Sequence, residues 1–160
     1  MIYSDLLSNI ETVDQAREFI SEIDMLLDSL FKTQNGFEEG LNAISASHSQ
    51  MLKEALLKNN IQASSPSIIS EYLHALKEEI RKLKTIKLAL AFEPRQHTID
   101  NLFTWVSQNL GSGIILDIKL DKTILGGTIV ELEGKYQDFS LKKKLEELFG
   151  RKREEIMRSY

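Results

Sequence analysis

Cysteine is absent from the 160-residue chain. Its absence excludes a disulfide scaffold, a thiolate metal centre and a cysteine nucleophile. Long apolar runs are absent as well, and none approaches the roughly 18 residues that a membrane-crossing helix needs. The opening residues, Met1-Ile2-Tyr3-Ser4-Asp5, carry neither a basic leader segment nor Arg-rich transit character. They are read as the start of an uncleaved, cytoplasmic chain. Histidine is scarce: His48, His74 and His97 are the three present, and they fall in separate predicted elements. No G-x-S-x-G elbow, H-E-x-x-H pair or G-x-x-x-x-G-K-[ST] loop occurs. Glu78-Glu79 and Glu146-Glu147 are adjacent, hence splayed by about 100° on a helix, and read as solvated faces. Nothing in this inventory supports catalysis, a cofactor or a metal ion, so the expectation is a non-enzyme. His48 is expected to be a hydrogen-bonded core or boundary residue.

The net charge of −4 is small, but its distribution is uneven. Residues 1–60 hold ten acids against four bases, and residues 141–160 hold four acids against seven bases. An acidic front and a basic tail suit docking by charge complementarity. The basic stretch is short and interrupted by acids, which argues against nucleic acid as the partner.

Hydrophobic residues make up 42% of the chain, and they are patterned. Val13, Ala16, Ile20, Ile23, Leu27 and Leu30 recur at helical spacing, with Thr12 as N-cap and Asn35-Gly36 as the stop. Leu41, Ile44, His48, Met51 and Ala55 form a second stripe. Ser64-Ser65-Pro66 opens a third helix lined by Ile69, Leu73, Leu76, Ile80 and Leu83. At about residue 85 the period changes from helix to strand. Ile86, Leu88, Leu90 and Phe92 alternate with polar or small residues. A helix carrying Ile99, Leu102, Phe103, Val106 and Leu110 ends at Gly111-Ser112-Gly113. A second strand covers Leu116, Ile118 and Leu120, and a third covers Thr128 to Glu133. A turn at Glu133-Gly134-Lys135 leads to a last helix that is expected to bury Leu141, Leu145, Leu148 and Phe149. The prediction is therefore an α+β chain: an N-terminal antiparallel helical bundle over 1–84, then a small β-α-β-β-α domain over 85–160 with a basic C-terminal helix. A length of 160 residues suits one large or two small domains.

The stretch from Leu116 to Phe149 resembles a family signature. An alternating strand leads to Asp121, the apolar pair Ile124-Leu125 and then Gly126-Gly127. A further strand ends in a turn at Gly134. Asp138 and Ser140 come next, ahead of a helix with leucines at 141, 145 and 148. This order is similar to that of the delta subunit of F-type ATP synthase, the oligomycin-sensitivity-conferring protein family. Lys122 and Phe139 stand where the family often has Pro and Gly. The resemblance implies a non-catalytic peripheral-stalk, or stator, subunit of a proton-translocating ATP synthase. It implies that residues 1–84 bind the N-terminal segments of the alpha subunits and that residues 85–160 bind the C-terminal helix of the b subunit, so that the catalytic head does not turn with the rotor. It implies a peripheral location on the cytoplasmic side of a bacterial inner membrane, through the complex, with no nucleic acid, metal or cofactor. Asp121, Gly126, Gly127, Gly134, Asp138, Ser140, Leu141 and Leu145 are expected to be mainly structural. Ser140 or Asp138 is expected to cap the last helix, and Gly126 to hold a conformation that a Cβ would strain. Ile20, Ile23, Leu27, Lys142 and Lys143 are the candidate partner-binding residues. The alternative reading is a small regulatory or nucleic-acid-binding α+β module.

Overall fold

A computed structural model describes residues 3–33, 35–61 and 65–146. Five helices come first: α1 (Ser4–Leu7), α2 (Val13–Ser29), α3 (Gly36–Ala43), α4 (Ala46–Lys58) and α5 (Pro66–Arg81). The order then becomes β1 (Lys84–Leu90), α6 (Gln96–Leu110), β2 (Ile114–Leu120), β3 (Thr128–Leu132) and β4 (Lys135–Asp138), with residues 141–146 helical. The α+β class is as expected. Among the described residues no helix is long and apolar enough to cross a membrane.

The start of α2 is fixed by a reciprocal cap. The Gln15 amide N–H donates to Thr12 Oγ1 (3.2 Å), and Gln15 Oε1 accepts from the backbone N–H groups of Thr12 (3.2 Å) and Glu11 (2.8 Å), which satisfies donors that a helix start leaves free. The helix buries Ala16, Phe19, Ile23, Leu26 and Leu30. Ile20 and Leu27, placed on the inner face by periodicity, lie half-buried at its edge. The apolar face of α2 is broad enough to admit both registers, and the larger Phe19 takes the centre.

Asn35-Gly36 is not only a stop. Gly36 opens α3, and Gly36 and Gly40 share the face that meets the end of α2. A Cβ on Gly36 would stand 2.1 Å from the Ser29 carbonyl oxygen, and one on Gly40 would stand 2.9 Å from Leu26 Cδ2. The expected single helix through Leu41, Ile44 and His48 is broken at Ile44, which is extended (φ −94°, ψ 174°). Ser45 starts α4 instead, accepting from the His48 N–H at 3.4 Å. The Glu22 carboxylate on α2 holds this break. It accepts from the Ser45 N–H (3.0 Å), the Ser45 hydroxyl (3.3 Å) and His48 Nδ1 (2.5 Å). The His48 ring stacks on Phe19 with centroids 4.4 Å apart, so this histidine is the bonded boundary residue that the sequence predicts.

The sheet has the order β2-β1-β3-β4. β1 and β2 are parallel, with α6 as the crossover that parallel neighbours require; β1–β3 and β3–β4 are antiparallel. The expected three strands become four. Glu133 (φ 50°) and Gly134 (φ 77°) form a two-residue turn with both centres left-handed, the geometry that matches the twist of a tight hairpin. Lys135–Asp138 therefore folds back as β4 rather than leading into a helix. β1 also stops at Leu90, leaving Phe92 53% exposed.

Two apolar clusters result. Ile86, Leu88, Val106, Ile114 and Leu116 lie between sheet and α6. Ile115, on the opposite face of β2, belongs to the core of the helices. β2 is thus buried on both sides at its start. The backbone continues this junction: the Leu116 N–H donates to the Glu11 carbonyl at 2.8 Å, in a parallel bridge of Thr12 with Leu116.

This packing sets two expectations. Ile115→Ala should cost about 3 kcal/mol, the range for deleting a buried Ile side chain, and should lower the urea midpoint of helical and sheet probes together. The second concerns Tyr72, whose ring packs against Tyr3 (5.0 Å) and whose hydroxyl is buried beside Asn59 without a partner of good hydrogen-bond geometry among the described residues. Burial, with a smaller push from Tyr3, raises its phenol to about 12 from 10.0. The folded state holds that proton where the unfolded state has lost it, so this contribution is complete below pH 10.0 and is lost as pH rises toward about 12. Urea midpoints of the native chain and Tyr72→Phe at pH 9 and pH 11.5 should show the native chain losing more.

Candidate interaction surfaces

All but one of the glycine and polar residues of the C-terminal signature converge at one end of the sheet. Where β2 ends, the Asp121 N–H donates to the Leu90 carbonyl (2.8 Å). The Asp121 carboxylate accepts from the Thr123 N–H (2.9 Å) and hydroxyl (2.6 Å), which hold it below the usual carboxylate range. This turn buries Ile124 and leaves Leu125 68% exposed. Gly126 and Gly127 come next, with φ of +144° and +88°. Their roles differ. A Cβ on Gly126 would meet nothing nearer than Leu141 Cβ at 3.7 Å, so its constraint is conformational; one on Gly127 would stand 2.4 Å from the Phe139 carbonyl oxygen.

The segment pressed against these glycines enters the last helix. The Leu141 N–H donates to the Gly126 carbonyl (2.7 Å) and the Phe139 N–H to the Thr128 carbonyl (2.9 Å). Asp138 accepts from the Ser140 N–H at 2.8 Å, and hydrogen bonding from Ser140 lowers the Asp138 pKa. Ser140 is buried, and its hydroxyl accepts from the Lys143 N–H at 3.3 Å. Ser140 is therefore the cap, and Asp138 fixes the cap's backbone. Gly134 stands apart, in the hairpin turn at the far end of β3.

Leu141 and Leu145 are 47% and 37% exposed rather than buried. Leu148 and Phe149 lie outside the described residues. With Leu125 and Phe139, the two exposed leucines give this end of the sheet an apolar surface, beside which Lys142, Lys143 and Lys144 are exposed. Sequence periodicity missed Leu125 and Phe139 as surface groups because both sit in connecting segments, where no period applies.

The helical half presents different ground. Ile23 is fully buried and serves the core. Ile20 and Leu27 are half-buried and share one side of α2 with Asp24, which is four residues after the first and three before the second. Asp24 is paired with Lys77 of α5. A groove of about 470 Å³ between α3 and α4 has Phe37, Leu56, Leu57 and Ile61 on its walls and Glu38 and Lys53 at its rim. A second groove of about 700 Å³ lies where the helices meet the sheet, with Leu7, Ile10, Leu83, Phe103, Ile114 and Ile115 among its lining. Such apolar channels with charged rims take amphipathic helices. Among the described residues no three metal-ligating side chains come together.

The chain has recognisable relatives. The family described as "ATP synthase delta (OSCP) subunit" matches residues 3–150. Proteins called ATP synthase subunit delta are similar over 82 residues. That of Paramagnetospirillum magneticum is 34% identical, covering 51% of this chain and 44% of its own. That of Fusobacterium nucleatum is 38% identical, covering 49% and 45%. The matched stretch spans less than half the length of each of these relatives. A chain from the cryo-EM structure of the Toxoplasma gondii mitochondrial ATP synthase hexamer is similar with a TM-score of 0.39 and 14% identity, covering 84% of this chain and 86% of that one.

The glycine geometry gives an ordered expectation. Gly127→Ala meets both a left-handed backbone and a backbone oxygen at 2.4 Å, and should cost more than about 2 kcal/mol. Gly134→Ala meets an open space and should cost about 1 kcal/mol through its backbone alone. Ser140→Ala should also cost about 1 kcal/mol, as cap removal does. Urea denaturation of the three variants measures the order.

Proposed function

The chain belongs to the ATP synthase delta (OSCP) subunit family, and from that footing we propose that it acts as a non-catalytic stator subunit, holding the catalytic head to the peripheral stalk of a proton-translocating ATP synthase. The observation that carries this reading is the family match across residues 3–150, which takes in both the helices and the sheet. Residues 1–84 form the unit that binds the N-terminal segments of the alpha subunits, and residues 85–160 form the unit that binds the C-terminal helix of the b subunit. The protein works at the membrane only through the complex, on the cytoplasmic side of a bacterial inner membrane.

Exposed apolar surface supports the division of labour. Leu125, Phe139, Leu141 and Leu145 supply exposed apolar groups at one end of the sheet, suited to the apolar stripe of a stalk helix. Lys142 and Lys143 stand beside it, placed to meet acidic residues on that helix. Ile20 and Leu27 lie on α2 beside Asp24, in a helix whose exposed charges are mostly acidic, which suits a basic amphipathic segment. Charged rims of this kind set encounter rate and register more than affinity.

Size-exclusion chromatography of the purified chain with a segment from the C-terminal end of the b subunit, and separately with the catalytic head, tests the reading at physiological salt. Co-elution with both is expected. Leu141→Lys should weaken b-segment binding more than tenfold and leave head binding intact. Leu27→Ala should do the reverse, with circular dichroism showing that both variants fold. Co-elution of the folded native chain with neither partner would overturn the proposal.

A further inference from the structure

β2 is an edge strand, and only its first half is covered. The Leu116 N–H points outward and is taken by the Glu11 carbonyl. One residue later the chain leaves the edge, because Thr12 caps α2 and Val13 begins it. Strand alternation puts the main-chain groups of Ile118 and Leu120 on the same outward edge as those of Leu116. Among the described residues no strand or bridge pairs with that edge beyond Leu116.

A crevice of about 360 Å³ runs along this open edge, between the start of α2 and the segment entering α6. Its apolar lining is Val13, Pro94, Ile99, Leu116, Ile118 and Leu120; its charged lining is Asp14, Glu93 and Asp117, all acidic. Glu11 and Asp100 extend the acidic ground, each accepting from Gln96 Nε2 (3.1 and 2.8 Å). Two of these acids carry a basic neighbour, Arg17 on Asp14 at 3.2 Å and Lys119 on Asp117 at 4.0 Å, and Arg95 follows Pro94 in the chain; Glu93, Glu11 and Asp100 leave the balance acidic.

We propose that this edge accepts an extended partner segment in which apolar residues alternate with Lys or Arg, added to the sheet as a further strand beside β2. The open main-chain groups call for a strand rather than a helix, since main-chain hydrogen bonds drive strand addition and alternate side chains set its specificity. The acidic rim calls for basic residues. It also argues against a second copy of this chain, whose own edge would set acid against acid. The site stands apart from the helix-binding surfaces above and does not depend on the stator assignment.

A fluorescein-labelled synthetic peptide of three Lys-Val repeats, titrated into the full chain at low salt, tests this by anisotropy. Saturable binding is expected, with the Ile118 and Leu120 amide protons becoming protected from exchange. The same peptide N-methylated at every backbone amide, which leaves neither edge able to donate along a strand, should bind at least tenfold more weakly. Asp14→Lys combined with Glu93→Lys should also weaken binding at least tenfold. A charge-matched control on distant helices, Glu54→Lys with Glu71→Lys, should weaken it less than threefold. No saturable binding, equal binding of the N-methylated peptide, an equal loss in the control, or pairing of the chain with itself through β2 would each overturn the proposal.

Discussion

The double engagement of β2 is the constraint on which the rest of the molecule depends. Ile114 and Leu116 face the sheet's own core under α6, while Ile115 faces the core of the helices. A strand buried on both sides at its start reads as Ile-Ile-Leu rather than as an alternation. The Glu11–Leu116 hydrogen bond pins the entry of α2 to the same point. The helical half and the sheet half are therefore joined by packing and by main-chain bonding as well as by the covalent passage from α5 to β1.

Local chemistry then determines how each half closes. In the helices, Gly36 and Gly40 let α3 lie against the end of α2, and Glu22 turns what would be one helix into two by serving Ser45 and His48 together. In the sheet, Gly127 lets the last strand's exit pass within contact of β3, and Ser140 caps the helix beyond it. The glycines on both sides replace a side chain by a close backbone approach. The apolar groups that this leaves outside, Leu125 and Leu141 among them, sit at the ends of elements, where a partner can reach them.

Much of this was legible in the sequence. The 3–4 spacing gives α2, α5 and α6, Pro66 marks the start of α5, and the alternation from Ile86 gives β1. The misses have separate physical causes. Leu41, Ile44 and His48 keep helical spacing across a break that is made by Glu22, 23 residues away from Ser45 in the chain, and local periodicity does not register such a partner. β4 reads Lys-Tyr-Gln-Asp and packs no inner face, so it carries no alternation; its one signal is the Glu133-Gly134 turn, weaker than Asn-Gly because Glu resists a positive φ. The signature residues Asp121, Gly126, Gly127, Asp138 and Ser140 were visible as a pattern. Their convergence at one end of the sheet, and the split between conformational need at Gly126 and steric need at Gly127, required the fold.

A stator bears load rather than performing chemistry, and that requirement suits the way the two halves meet. A tether of flexible loop between two binding units would let the head swing. Here the path from α2 to the sheet runs through a buried isoleucine, a parallel bridge and a hydrogen bond, all on one strand. Shear across such a junction must open packed surface and main-chain bonds together, so it resists as a unit rather than one contact at a time. On the stator reading, β2 is then the element through which a force on α2 reaches the stalk-binding end of the sheet, because the same strand that buries Ile115 among the helices runs on to Leu120 and the Asp121 turn beside Leu125.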